Sequence, residues 1–184
     1  MSVQPKPYMD VDEFLDWAKD RPGRHELVDG EVHAMSPQRA RHARAKYRIQ
    51  AALDRAIAAG RLSCEMLPDG MTVKVDATTA YEPDALVQCG ERAADDAVTA
   101  THPIIVVEVL SPGTQATDTG EKLGGYFKLA SVMHYLIVDP RKRLVIHHRR
   151  GEGELIETRI VSAGSLDLTP PGLSLSLAEA FADL

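Results

Sequence analysis

One carboxylate interrupts the apolar run PIIVVEVLSP: Glu108 stands among Ile104, Ile105, Val106, Val107, Val109 and Leu110. The β-branched run reads as a strand covered on both faces. An uncompensated carboxylate there is costly, so Glu108 calls for a proton, a cationic partner or a metal. Asp84 follows Pro83 at the head of DALVQ and so opens a second strand. If the two strands are neighbours, both carboxylates can converge on one point, and hard oxygen ligands suit Mg²⁺ or Mn²⁺. A plainer reading has Asp84 capping a turn and Glu108 pairing with an arginine, and spacing alone does not decide. In DTGEKLGGYFKLA, Asp118, Lys122 and Tyr126 recur at i, i+4 and i+8 on one face of a helix that follows the Glu108 run. Lys122 can then reach over the end of the sheet, or form an ordinary surface pair with Asp118.

The elements that must position these groups alternate along the chain. VDEFLDWAKD reads as a short entry helix behind Asp10 as N-cap. HELVDGEVHAM places Asp29-Gly30 between two short strands, the pattern of a tight hairpin. Ser36-Pro37 then reads as N-cap and first residue of a long helix running to Ala59 and closed by Gly60. LSCEML, MTVKV and PDALVQ follow as strands, with a turn at Asp69-Gly70. PIIVVEVL, the Lys122 helix and HYLIVDP make a strand, helix, strand unit and hence parallel neighbours. RLVIHH through ETRIV is a hairpin, and SLAEAFADL a closing helix. The class expected is α/β, one mixed sheet flanked by helices in a single domain over residues 1–184.

At 184 residues the chain is long enough to bury roughly two thirds of its extended surface without a staple. Cys64 and Cys89 are too few for a disulfide framework, and the start MSVQPKPYMD carries no basic and apolar leader pattern, so a reducing, cytoplasmic compartment is expected. No apolar run approaches the ~20 residues of a membrane helix. A formal net charge of −6 argues against simple coating of nucleic acid, leaving any such contact to a local basic face.

On the long helix, His42, Lys46, Ile49 and Leu53 share one stripe, with Arg41, Arg44 and Arg48 nearly opposite. His42 therefore continues the buried stripe, as a hydrogen-bonded core residue or as a group facing a cleft. The three arginines can track a phosphate backbone or simply be solvated. His147, His148, Arg149 and Arg150 form a second basic cluster, without a cysteine or acidic partner at ligand spacing.

YEPDALVQ, then IIVVEVLSPGTQATDTGEKLGGYFKLASVMHYLIVDP, together with HELVDGEVHAMSP and RARHARAKYRIQAAL, resembles the Uma-type family of restriction endonucleases, a branch of the PD-(D/E)xK nuclease superfamily. The resemblance covers nearly the whole chain and implies a restriction-endonuclease-like fold. It departs from the superfamily at Leu110, where an E-x-K motif has its lysine; Lys122 from the next helix is the matching residue. Met133-His134 also differs from the family's usual Gly-Val-x-Glu-Tyr step. The resemblance implies a metal-dependent endonuclease acting on DNA, with Asp84, Glu108 and Lys122 catalytic and Mg²⁺ or Mn²⁺ held by Asp84, Glu108 and the main-chain carbonyl of Val109. Glu26, His42 and Tyr126 are accessory candidates. A homodimer is expected from duplex cleavage. The alternatives are a catalytically silent binding or regulatory module, or a hydrolase of small phosphodiesters. Removing Asp84 or Glu108 is expected to spare the fold, or to stabilise it by relieving carboxylate repulsion.

Overall fold

A computed structural model describes residues 8–111 and 120–184. The stretch 112–119 lies outside it, so Asp118 and the closing Pro112 of the EVLSP motif fall outside the described residues. Helix α1 (Val11–Ala18) starts as expected, with Asp10 and Glu13 forming a reciprocal capping box. Strands β1 (His25–Val28) and β2 (Glu31–Ala34) pair antiparallel around Asp29-Gly30, whose positive φ values of 48° and 80° make the tight turn that only such residues take easily.

Helix α2 (Ala40–Gly60) starts later than the Ser36-Pro37 signal suggests. The Met35 N–H donates to the carbonyl of Arg24, which continues the hairpin's ladder past Ala34, and the chain is still extended at Arg39. The left-handed residue at its other end is Arg61, not Gly60. Gly60 instead gives room for Leu62, whose Cγ would lie 3.1 Å from a Cβ there.

The strands then run β3 (Cys64–Pro68), β4 (Thr72–Lys74), β5 (Ala80–Tyr81), β6 (Ala85–Cys89), β7 (Thr99–Ala100) and β8 (Pro103–Val109). After helix α3 (Glu121–Lys128) come β9 (His134–Asp139), β10 (Leu144–Arg150), β11 (Ile156–Val161), β12 (Ser165–Leu168), β13 (Leu173–Ser176) and helix α4 (Leu177–Ala180). The class is mixed α/β, but the strands divide among three sheets where one was expected. The six-stranded sheet has the order β11-β10-β9-β8-β6-β3, a five-stranded sheet the order β2-β1-β5-β4-β7, and β12 and β13 form a hairpin. The Asp69-Gly70 turn therefore passes the chain from one sheet to another rather than closing a hairpin. Strands β8 and β9 are parallel across α3, as a strand, helix, strand unit requires.

Alternation along β8 sorts its side chains. Ile105, Val107 and Val109 join Ala45, Ile49 and Leu53 of α2 and the β12-β13 leucines in one core. Val106 packs on the other face with Val73, Tyr81, Tyr126 and Tyr135. Glu108 shares that second face by the period of two. Cys64 and Cys89 are direct cross-strand partners in β3 and β6 and are joined by a disulfide, a single cross-link that runs against the reducing compartment expected from the sequence. Among the described residues, no helix is long and apolar enough to cross a membrane.

Candidate active site

Strands β6 and β8 are antiparallel neighbours, with Ala85 opposite Val107 and the Asp84 N–H donating to the Val107 carbonyl. Asp84 and Glu108 therefore meet at the same end of adjacent strands. Asp84, Glu108 and Lys122 are each only 4 % exposed, and none of the three carries its charge alone.

Glu108 is held from the α3 side. Lys122 Nζ donates to Glu108 Oε1 at 2.9 Å and to Glu26 Oε1 at 2.8 Å, and the Tyr126 hydroxyl donates to Glu108 Oε1 at 2.8 Å. Helical spacing of four puts Lys122 and Tyr126 on the face that meets the strand. The requirement posed by a carboxylate in a buried strand is thus met by a lysine, not by an arginine. Glu26 also accepts from the Glu82 N–H at 2.8 Å, which fixes the hairpin strand against the site. Tyr81 lies beneath, its ring centroid 5.5 Å from the Lys122 ammonium. Burial, with the charge of Glu108 behind it, pushes the Tyr126 hydroxyl well above the usual phenol range, so it stays a donor. Tyr81 is pushed up to about 12, chiefly by burial.

Asp84 is held from the α2 side by a second lysine. Lys46, 3 % exposed, reaches Asp84 Oδ1 at 2.8 Å and Asp69 Oδ2 at 2.6 Å. With the Gln38 amide turned oxygen inward, a third acceptor lies 2.6 Å from the same ammonium, which uses all three of its N–H groups. Asp84 Oδ2 accepts from the Val109 N–H at 2.7 Å, and Gln50 donates to the Asp84 carbonyl at 2.8 Å. His42 Nε2 lies 2.7 Å from the Val109 carbonyl, which can only accept, so that nitrogen carries the hydrogen. The same nitrogen is 3.7 Å from Asp84 Oδ2.

Arg24 joins the two halves, donating to Asp69 at 2.8 Å and to Glu82 at 2.6 Å. Burial is the largest influence on Asp69 and acts to raise its pKa, but Lys46 and Arg24 outweigh it and hold the carboxyl below its ordinary value. Glu82 is raised, because burial exceeds what Arg24 returns.

All the expected site residues inside the described region fall into this network. They form two adjoining groups, Glu26, Glu108, Lys122 and Tyr126 in one and His42, Asp84 and Val109 in the other, linked through the backbone of Val109. Lys46, Asp69, Arg24, Glu82 and Gln50 belong to it without having been singled out. A lysine on the apolar stripe of α2 was the visible signal for Lys46. Arg24, Asp69 and Glu82 lie in or beside turns, and nothing in their spacing announces the site.

As a test of fit, Asp84 and Glu108 supply two carboxylates and Val109 a carbonyl, the hard oxygen donors that Mg²⁺ and Mn²⁺ prefer. Among the described residues no three His, Cys, Asp or Glu side chains are grouped for a metal ion, so a third protein ligand would come from the backbone, and waters would complete the shell. The donors fit in kind, and the lysines hold the carboxylates in the arrangement described.

The comparisons with known proteins follow this geometry. A solved structure from Anabaena variabilis, described as a "putative nuclease belonging to DUF820", superposes with a TM-score of 0.73 at 17 % identity, covering 95 % of this chain and 98 % of that one. At that identity the likeness speaks for the fold. An uncharacterised protein of Synechocystis sp. is 27 % identical over 175 residues, 94 % of this chain and 91 % of the relative. Residues 11–180 match the model of the family described as "Uma2: Putative restriction endonuclease", and the chain belongs to that family.

Proposed function

We propose that the chain is a divalent-metal-dependent endonuclease that hydrolyses phosphodiester bonds in DNA. The observation that carries this reading is the Lys122–Glu108 contact. Although E-x-K is broken at Leu110, a lysine from the following helix reaches the same carboxylate. Asp84, Glu108 and the Val109 carbonyl would hold Mg²⁺ or Mn²⁺, which when bound acidifies a water and neutralises phosphate charge. Lys122 would orient that water and stabilise the oxyanion that develops on the phosphate. Glu26 keeps the ammonium aimed and charged, and Tyr126 fixes the Glu108 carboxylate in one orientation. His42 holds the Val109 carbonyl through its Nε2–H. Exposed Arg39, Arg41 and Arg44 flank His42 at the start of α2 and offer a local basic face on an acidic protein.

The test is cleavage of supercoiled and linear DNA in Mn²⁺ or Mg²⁺. Asp84→Asn and Glu108→Gln should each reduce the rate at least about a hundredfold. Parental rates in either variant would sink the assignment. A second reading, a silent module on the nuclease fold, draws on the fact that both carboxylates already have lysine partners. Absence of cleavage on every DNA and RNA form, and on bis(p-nitrophenyl) phosphate, would favour it.

A further inference from the structure

The six-stranded sheet has two edges, and they differ. The β3 edge is blunted: Pro68 has no N–H to offer, and the Glu65 side chain pulls in the segment at 92–93 by accepting from Arg92 and the Ala93 N–H. Strand β11 has β10 on one side, in an unbroken register from Val145 opposite Val161 to Arg150 opposite Ile156, and no described strand on the other. It is not guarded by a proline or a glycine. Ile160 is 70 % exposed, and Leu155 just before the strand is 58 % exposed.

We propose that β11 is an interface between two copies of this chain, pairing antiparallel with its own symmetry mate about a two-fold axis at Thr158. The order of residues supports this partner and this register. About Thr158, Leu155 falls opposite Val161 of the second copy, Ile156 opposite Ile160, and Glu157 opposite Arg159. Every apolar residue meets an apolar one and each charge meets its opposite, twice over by symmetry. Centring on Glu157 or on Arg159 would set like charges face to face, and a parallel pairing in register would do so at both positions. Shifting by half a residue would oppose Glu157 to Ile160. Side-chain direction agrees: Val161 shares a face with Val145, while Thr158 bonds His148 on the other face, where Ile160 extends the line of Ile146. Pairing would therefore continue both cores of the sheet across the axis.

Sedimentation of the full chain across the micromolar range, with melting curves for every variant, tests the proposal. The parent should be dimeric. Glu157→Arg and Arg159→Glu should each weaken association by about tenfold or more, because each sets like charges opposite one another across the axis. The double variant Glu157→Arg/Arg159→Glu should recover most of the parental affinity. It keeps the new contact between position 157 and Arg149 within one chain, so recovery isolates the contact between copies. Ile160→Lys, at an exposed position, should be monomeric and folded, with a cooperative melt that no longer depends on protein concentration. A monomeric parent, a dimer that survives the single charge changes, or a folded double variant that fails to recover would each overturn it.

Discussion

Lys46 and Lys122 are buried ammonium groups, and among the described residues each spans two carboxylates: Asp69 and Asp84 for one, Glu26 and Glu108 for the other. That changes what a substitution does. Asp84 and Glu108 do not stand as unliganded, repelling carboxylates, so removing one leaves a lysine short of a partner, and loss of stability is expected instead of a gain. Lys46 makes the sharper case, because Lys46→Met strips Asp84 of its lysine and leaves Asp69 with Arg24 as its remaining cation. The variant should lose about 3 kcal/mol of stability. Mn²⁺ should then raise its melting temperature more than it raises that of the parent, since the ion no longer competes with an ammonium for Asp84. Equal metal-induced shifts in the two proteins would show that Lys46 does not occupy the metal's carboxylate. At this scale Asp84, Glu108 and Lys122 were legible from the sequence because each breaks a local pattern. Asp69 and Arg24 were not, since only the folded structure brings them to the site, and Glu82, although two residues before Asp84, carries no local sign that it meets Arg24.

Helix α3 contains Gly124-Gly125, which weakens it on propensity grounds, and the two glycines answer to different constraints. Among the described residues a Cβ on Gly124 meets nothing within 4 Å, whereas one on Gly125 would lie 2.6 Å from the Tyr81 ring. Gly124→Ala should stabilise the protein by about 0.5–1 kcal/mol. Gly125→Ala should destabilise it by about 1–3 kcal/mol and impair the site, because Tyr81 packs under the Lys122 ammonium. Denaturant melts of the two variants check this, and similar effects for both would contradict it. Elements with local signals were readable: the Asp10 cap, the Asp29-Gly30 turn and the β8-α3-β9 unit. The start of α2 was misplaced because Ser36-Pro37 has the chemistry of a helix start, while a backbone bond from Met35 to Arg24 keeps the chain extended. The β12-β13 hairpin went unread: its leucines alternate, but the turn between them is Thr169-Pro170-Pro171-Gly172 rather than a two-residue Asn-Gly or Asp-Gly.

Across the whole molecule the division into sheets was the least legible feature, since MTVKV alternates much as LSCEML does and only long-range pairing sends them to different sheets. One long-range joint also governs the response to acid. His134 Nε2 donates to the Pro170 carbonyl at 2.9 Å, which leaves Nδ1 as an acceptor for His147 Nε2–H at 2.9 Å. His147 Nδ1 is then buried without a partner. The pair ties the β12-β13 hairpin to the main sheet as two neutral rings, and burial pushes both down to about 4 from 6.5. The unfolded chain therefore binds protons first as the pH falls. The stability from keeping these rings neutral is fully present above pH 6.5 and is lost progressively between 6.5 and 4. Glu82, raised by burial, acts in the opposite sense and offsets part of the loss. Melting temperature should fall across that window, and a flat profile would mean that the rings titrate normally in the folded state.

Calorimetric titration of Mn²⁺ into the parent and into Glu108→Gln tests the central claim most directly, because it requires no choice of substrate. Saturable binding by the parent that is lost in the folded variant is the predicted result. An inert parent at millimolar metal, or undiminished binding by the variant, would contradict a metal site at Asp84 and Glu108.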